Sequence, residues 1–284
     1  MIVSVIGFGH VGSVVGSVLA DRGCKVYGID KNIDLITSFK KGLSPINEPG
    51  LQKLITNGLE KKKLIITDSL ESISKSKMII ITVGTPLNKK YLPNLTYLKA
   101  ACNEIKKLIK PGHMICLKST VPPGTTRKII YKILGSKKNI DLAFTPERFS
   151  EGTAIKEFKS LPIVVGGVTD KATVRIANFW KKFLKTKIIK VVNSETAEYV
   201  KLATNAWIDL NIGFANDLAR LAGKLNSKID ILDVSKSSNS LKKGERYVNI
   251  LLPSIGVGGS CLTKDPWFIY SMGKKKKIDL FTIK

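Results

Sequence analysis

Through residues 1–193, short apolar runs alternate with stretches of helical spacing. The apolar runs fall at residues 2–6, 25–29, 64–66, 78–83, 114–118 and 142–144, each bounded by Gly, Pro, Asp or other polar residues. Between them, residues 12–22 carry small and apolar side chains suited to a helix packed on a sheet. Residues 51–57, 95–109 and 125–134 repeat their apolar positions at helical intervals. Runs that are apolar at successive rather than alternate positions read as strands buried on both faces. Strands of that kind alternating with helices predict an α/β fold, a doubly wound parallel sheet of the Rossmann type. A strand at 163–165, a helix at 171–183 and a strand at 187–191 are expected to extend the same sheet.

The pattern changes at residue 195. From there to residue 225 no proline occurs, and Tyr199, Leu202, Leu210, Phe214, Leu218 and Leu221 recur at helical spacing. A helix of roughly 30 residues spans about 45 Å at 1.5 Å per residue. That is far longer than the usual globular helix, so it is expected to link domains or form the interface of a homodimer. Polar residues 235–244, a glycine-rich segment at 256–259 and a basic tail follow. The expected organisation is a nucleotide-binding domain over 1–193 and, over 194–284, a helical region built on the long helix.

The first strand leads into Gly7-Phe8-Gly9-His10-Val11-Gly12, a G-x-G-x-x-G turn that opens a helix. Gly7 permits the tight turn, Gly9 lets backbone approach a pyrophosphate, and Gly12 allows close packing of helix on strand. The helix N-terminus at His10 and Val11 offers unpaired N–H groups to phosphate. Asp30 ends the second strand, where a carboxylate would accept from ribose hydroxyls and repel a 2′-phosphate, favouring NAD over NADP. Lys31, directly after it, works against that preference. Gly84-Thr85-Pro86 and Ser119-Thr120-Val121-Pro122 end two later strands, where ligands of open parallel sheets bind. Taken alone, each is equally an ordinary turn.

Composition narrows the classes. Hydrophobic residues make up 43% of the 284, as in a globular protein. No apolar run approaches the roughly 20 residues that span a bilayer. The glycine-broken N-terminus, with no basic segment before it, does not read as a signal peptide, so a cytoplasmic location is expected. Cys24, Cys102, Cys116 and Cys261 are scattered without a C-x-x-C pair, which suggests neither a metal site nor a disulfide framework. The first three read as buried small hydrophobes. The net charge of +25 raises the question of nucleic acid. Its lysines are spread along the whole chain, with short runs only at 61–63 and 274–277, and no recognition motif or aromatic stacking signature accompanies them. A solvated basic surface that steers a polyanionic nucleotide substrate is the simpler reading.

Seven segments together resemble the UDP-glucose/GDP-mannose dehydrogenase family. They are the glycine turn; Pro45-Ile46-Asn47-Glu48-Pro49-Gly50; Gly84-Thr85-Pro86; Ser119-Thr120-Val121-Pro122; Pro146-Glu147-Arg148 with Glu151-Gly152; Lys201 with Asn205; and Gly256-Val257-Gly258-Gly259-Ser260-Cys261-Leu262-Thr263-Lys264-Asp265-Pro266. They follow the family order over nearly the whole chain. Residues 146–167 are more similar to members acting on UDP-N-acetylhexosamines. The resemblance implies oxidation of the C6 alcohol of a UDP-sugar to a carboxylate, with NAD as cofactor and two hydrides removed in succession. A cysteine thiolate retains the intermediate aldehyde as a thiohemiacetal, then as a thioester that water hydrolyses. Cys261 matches that nucleophile, although a cysteine in a glycine loop, taken alone, is more often structural. By the same resemblance Lys264 helps hold the thiolate and meets the cofactor, and Asp265 assists a water or proton transfer. Lys201, one helical turn from Asn205, stabilises the C6 oxyanion. Thr120 and Glu151 position a water; Glu147 binds cofactor or substrate; Gly258 lets backbone approach the sugar; Thr85 lies on the cofactor.

The sequence also departs from the family. Ile208 stands where many members carry arginine, Asp217 where glutamate is usual and Asn94 where aspartate is common. Members continue into a second nucleotide-binding domain that holds uridine diphosphate, and the expectation here is that this domain is absent. A lysine run such as 274–277 is commonly an adenine run in the gene, where slippage ends translation early; resequencing that locus tests the idea. Two other readings compete. One is a two-electron dehydrogenase of the 6-phosphogluconate or 3-hydroxyacyl type, which needs no cysteine. The other is a chain that binds NAD and dimerises without turnover.

Overall fold

The computed structural model describes residues 1–135, 139–225, 228–259 and 261–283. Ser260, in the cysteine block, lies outside the described residues. The chain forms two compact units, Met1–Pro86 with Pro93–Lys201, and Leu87–Leu92 with Leu202–Lys284.

The first unit is an eight-stranded sheet. Its strands are β1 (Ile2–Ile6), β2 (Lys25–Ile29), β3 (Leu64–Thr67), β4 (Met78–Ile81), β5 (Met114–Leu117), β6 (Asp141–Phe144), β7 (Ile163–Gly167) and β8 (Ile188–Lys190), in the order β3-β2-β1-β4-β5-β6-β7-β8. Neighbours pair in parallel except β6 with β7, which run antiparallel through Ala143 opposite Gly167 and Phe144 opposite Gly166. The apolar runs at 163–165 and 187–191 do join the sheet, but not with uniform direction. Residues 145–153 stay at the carboxyl end of the sheet, where Glu147 and Gly152 are held. The seven-residue helix α6 (Ala154–Ser160) then spans only about 10 Å. The chain therefore re-enters the sheet from the end it left.

Helices cover both faces: α1 (His10–Asp21), α2 (Ile33–Lys40), α3 (Leu51–Glu60), α4 (Thr96–Ile105), α5 (Tyr131–Leu134, after a π turn at Thr126–Ile130), α6 and α7 (Asp170–Leu184). Side-chain alternation along each strand explains the two apolar layers. Val3, Val5, Met78 and Ile80 enter one core with Val14, Val18, Phe39 and Trp180. Ile6, Ile79 and Ile81 enter the other with Leu98, Cys102 and Ile105. Ser4 is the polar exception in β1, buried, and its hydroxyl meets those of Ser72 at 3.0 Å and Ser76 at 2.8 Å. Helix ends follow local chemistry: Asn32 caps α2 by accepting from Leu35 N–H, and Thr169 caps α7 by accepting from Ala172 N–H.

The long helix α8 (Ser194–Ala222) is present with 29 residues. In the second unit it is followed by α9 (Ile231–Ser238), a hairpin of β9 (Lys242–Lys243) and β10 (Arg246–Tyr247), and α10 (Asp265–Lys275). Leu202, Ala206, Phe268 and Ile269 form its small core, with Leu87, Met272, Leu280 and Ile283 packed around them. Irregular backbone is held by amide side chains: Asn239 both donates to and accepts from Ile250, and Asn211 does the same with Asn249 carbonyl and Leu251 N–H. Among the described residues no helix is long and apolar enough to cross a membrane.

Candidate active site

Dinucleotide binding needs a place where main chain and anion can touch, and the glycine turn supplies one. Gly7 has φ +86°, a left-handed conformation that side chains rarely adopt. A Cβ on Gly12 would sit 2.1 Å from the Gly7 carbonyl oxygen and 2.8 Å from Thr82 Oγ1, so only glycine lets α1 close on β1. A Cβ on Gly9 would meet nothing within 4 Å, leaving that face of the turn open to an incoming phosphate. A cavity of about 420 Å³ continues from Gly7 past Asp30 to α4. Asp30 Oδ1 accepts from the N–H groups of Lys31 (2.8 Å) and Asn32 (3.0 Å), which orients the carboxylate. These residues fit NAD: an open glycine turn for its phosphates, and an oriented acid for its ribose. Thr85 is buried, and its hydroxyl donates to the Thr120 carbonyl at 2.6 Å, so the two strand-end turns are tied together. Val11 is half-buried at the start of α1, packed against the first core.

Glu147 and Glu151 lie in the loop after β6, and Glu48 lies in the loop between α2 and α3. Glu147 is buried; its Oε1 accepts from Arg148 and Phe149 N–H, and its Oε2 lies 3.0 Å from Lys118 Nζ. Lys118 is wholly buried, its ammonium also donating to the Thr145 carbonyl and lying over the rings of Phe158 and Trp180. Glu151, by contrast, is largely exposed, with Oε1 3.6 Å from His10 Nδ1. His10 Nε2 in turn lies 3.4 Å from Glu48 Oε2. Glu48 accepts from Gly152 and Ala154 N–H, both at 2.8 Å, and so anchors the segment carrying Glu151.

Glu198 was not visible as a candidate in the sequence. It is buried in the first turns of α8 and accepts from Gly124 N–H (2.5 Å), Thr126 N–H (2.7 Å) and Thr126 Oγ1 (2.6 Å). It thereby fastens the loop that follows Thr120 to the helix that carries Lys201. Burial pushes its carboxyl up to about 7, against the three hydrogen bonds that favour the anion. Lys118 was equally silent, and Glu48 was visible only as a member of the Pro45–Gly50 segment, with no role attached to it. Their signal was present only as a lysine ending a buried strand and a glutamate between two prolines' loops.

In the second unit the cysteine block forms the turn that starts α10. The Cys261 carbonyl accepts from Lys264 N–H (3.0 Å) and Asp265 N–H (2.8 Å), and the Cys261 side chain is exposed. Asp265 is fully buried. Its Oδ2 accepts from Asn205 Nδ2 and its Oδ1 from Lys264 Nζ, both at 2.6 Å. Lys264 Nζ lies 4.5 Å from the Phe268 ring centroid, which adds a cation–π contact. Lys201, one turn before Asn205 on α8, is buried rather than a solvated lysine. Gly258 is exposed, and a Cβ there would meet nothing within 4 Å. The other cysteines belong to the two apolar cores of the first unit. Burial pushes the thiol of Cys24 up to about 11, that of Cys102 to about 12 and that of Cys116 to about 11, so each stays a protonated core residue.

Comparison with known proteins agrees with the sequence motifs. Residues 1–184 match the NAD binding domain of the UDP-glucose/GDP-mannose dehydrogenase family, and residues 195–284 match its central domain. The chain is 36% identical over 273 residues to a UDP-N-acetyl-D-mannosamine dehydrogenase of Methanococcus maripaludis, an alignment covering 94% of this chain and 60% of that protein. A structure of UDP-D-ManNAc dehydrogenase from Pyrococcus horikoshii superposes with a TM-score of 0.89 at 31% identity, over 100% of this chain and 66% of that one. A UDP-glucose dehydrogenase from Pyrobaculum islandicum superposes with a TM-score of 0.87 at 26% identity, over 99% and 66%. The chain thus spans about 60–66% of the length of these relatives.

Proposed function

Because the chain belongs to the UDP-glucose/GDP-mannose dehydrogenase family, we propose that its chemistry is the NAD-dependent four-electron oxidation of a UDP-sugar C6 alcohol to the carboxylate, through Cys261. The observation that carries this reading is the Asp265 carboxylate, fully buried and clasped by Asn205 and Lys264, with its own N–H on the Cys261 carbonyl. A buried anion is costly unless it is fully partnered, and here its partners are the residues that the family motif assigns to catalysis. Bound NAD+ supplies the hydride acceptor for each of the two oxidations.

Each residue then has a definite task. Lys201, held out of bulk water, stabilises the oxyanion on C6 as the alcohol gives its proton to water, and departure of the first hydride from C6 leaves the aldehyde. The Cys261 sulfur adds to the aldehyde carbon, and loss of a second hydride from that carbon leaves a thioester. Asp265 takes a proton from the water that cleaves the thioester, returning the thiol and releasing the acid. Asn205 keeps Asp265 oriented. Thr120, Glu147 and Glu151 hold water and the sugar, and Gly258 lets main chain approach it. The names of the relatives favour an N-acetylated hexosamine as the sugar. Trp207, Leu210, Phe214 and Leu221 form an exposed apolar stripe on α8, which supports a homodimer through that helix; a monomer by light scattering would contradict this. Both cofactor and nucleotide sugar are cytoplasmic metabolites, so we assign the reaction to the cytoplasm.

The test is incubation of the purified chain with NAD+ and a panel of UDP-sugars, following NADH absorbance and acid formation beside Cys261→Ser. The expected result is two NADH per sugar for the wild type and no acid from the variant. Equal acid from both proteins refutes the thioester route, and one NADH per substrate favours a two-electron dehydrogenase. Because the chain spans 60% of the Methanococcus maripaludis relative, a second reading is a chain that binds NAD and dimerises without turnover. NAD+ binding without any product is its signature.

A further inference from the structure

The cavity beside Asp30 contains a pairing that the sequence alone left as a contradiction. Lys31, immediately after the acid expected to select NAD, is a cation well placed to accept the 2′-phosphate of NADP. In the structure Lys31 Nζ is held by Glu104 Oε1 at 2.5 Å. Both residues line the same cavity, at its β2 and α4 sides respectively. Four residues of α4 reach it, Tyr97, Ala100, Ala101 and Glu104, at spacings i, i+3, i+4 and i+7 on one helix face. The two alanines keep bulky side chains off this part of the lining, and Glu104 is the α4 residue that meets Lys31.

Glu104 has no helical reason to be there. It occupies the last turn of α4, where the helix dipole disfavours a carboxylate. An exposed ion pair of this kind contributes little stability. Its effect on the cavity is larger. Among the described residues that line the cavity, Lys31 is the one cation, against Asp30, Asp68 and Glu104. Pairing with Glu104 neutralises it and draws its ammonium toward α4.

We infer that Glu104 is a specificity-determining residue for the cofactor: by engaging Lys31 it withholds the pocket's cation from a 2′-phosphate, so the pocket discriminates against NADP through two residues rather than Asp30 alone. The inference rests on the dinucleotide reading of this cavity. It adds that exclusion of NADP is released by a change on α4, away from the glycine turn and from Asp30.

The experiment uses the full chain and two small probes of the adenosine pocket, 5′-AMP and adenosine 2′,5′-bisphosphate, with binding measured by calorimetry at low salt. Glu104→Gln is expected to tighten the bisphosphate about tenfold, since one charge is removed near a group carrying roughly −1.5 to −2, while 5′-AMP changes less than about twofold. The gain should shrink in 0.5 M NaCl, where the Debye length falls to a few Å. It should vanish in the Lys31→Met, Glu104→Gln double variant. The inference is overturned if Glu104→Gln changes both ligands equally or neither, or if the gain survives without Lys31. Failure of the wild type to bind either 5′-AMP or NAD+ would overturn the dinucleotide reading itself, and this inference with it.

Discussion

Replacing Asp265 with Ala removes a carboxylate that the second unit has taken wholly out of water. Two hydrogen bonds to a charged acceptor are lost, from Asn205 Nδ2 and Lys264 Nζ, each at 2.6 Å. At about 1.5–3 kcal/mol each, their gross contribution is about 3–6 kcal/mol. The two donors do not respond alike. The Lys264 side chain retains 18% exposure and its ammonium can return to water, whereas Asn205, at 6%, is left with a buried orphan amide. The lower end of the range, about 3 kcal/mol, is therefore expected for Asp265→Ala. Asn205→Ala should cost about 2 kcal/mol, and the double variant about 1 kcal/mol less than the sum, because both singles break the same bond. Urea denaturation of the four proteins measures this cycle. A cost below about 0.5 kcal/mol, or strict additivity, would refute the reasoning that this carboxylate organises the cysteine turn.

Other outcomes follow from the same geometry. Gly12→Ala would force a methyl against the Gly7 carbonyl and should weaken NAD+ at least about tenfold with a lower melting temperature; Gly9→Ala, facing open space, should weaken NAD+ while leaving the melting temperature unchanged. Glu48→Ala leaves the N–H groups of Gly152 and Ala154 without acceptors and should cost about 2–4 kcal/mol by chemical denaturation; a neutral result would mean that the segment carrying Glu151 is anchored elsewhere. Glu198 titrates near 7 when folded and near 4.5 when exposed, so the folded state binds the extra proton between those values. Its contribution is therefore fully present below pH 4.5 and lost as pH rises through 7, by roughly 3 kcal/mol. Glu198→Gln should flatten that part of the stability–pH curve, and an unchanged slope would show that the carboxyl ionises in place on its three hydrogen bonds.

Legibility differed from residue to residue. Gly7, Gly9 and Gly12 could be read because their role is a backbone property, carried wherever the chain goes. Cys261, Lys264, Asp265, Lys201 and Asn205 were singled out by resemblance to a family motif carried in two short segments, and their catalytic roles belong to the proposed function. The roles of Glu48, which stood out only within the Pro45–Gly50 segment, and of Lys118 and Glu198 could not be read. Each acts by reaching a partner 29 to 106 positions away, and nothing local marks a glutamate that will accept two distant amides. Helices α2, α6, α9 and α10 were missed for a related reason. They are short, between 7 and 11 residues, and their stability comes from packing and caps rather than from a long periodic face. The direction of β7 was missed because side-chain pattern reports burial, not the end from which a strand enters.

By itself, the sequence determined where the strands of the eight-stranded sheet and the long helix lie, which glycines form the tight turn after the first strand, and which cysteine stands apart from the three buried in the core. Hydrophobic period, glycine position and spacing within a motif are all local, and local information survives in one dimension. Tertiary structure alone decided which charges meet: Lys31 with Glu104 rather than with a phosphate, Lys118 with Glu147, Glu198 with the loop beyond Thr120. An ionised side chain has no preferred partner until folding removes it from water and presents an opposite charge or a row of amides within 3 Å or so.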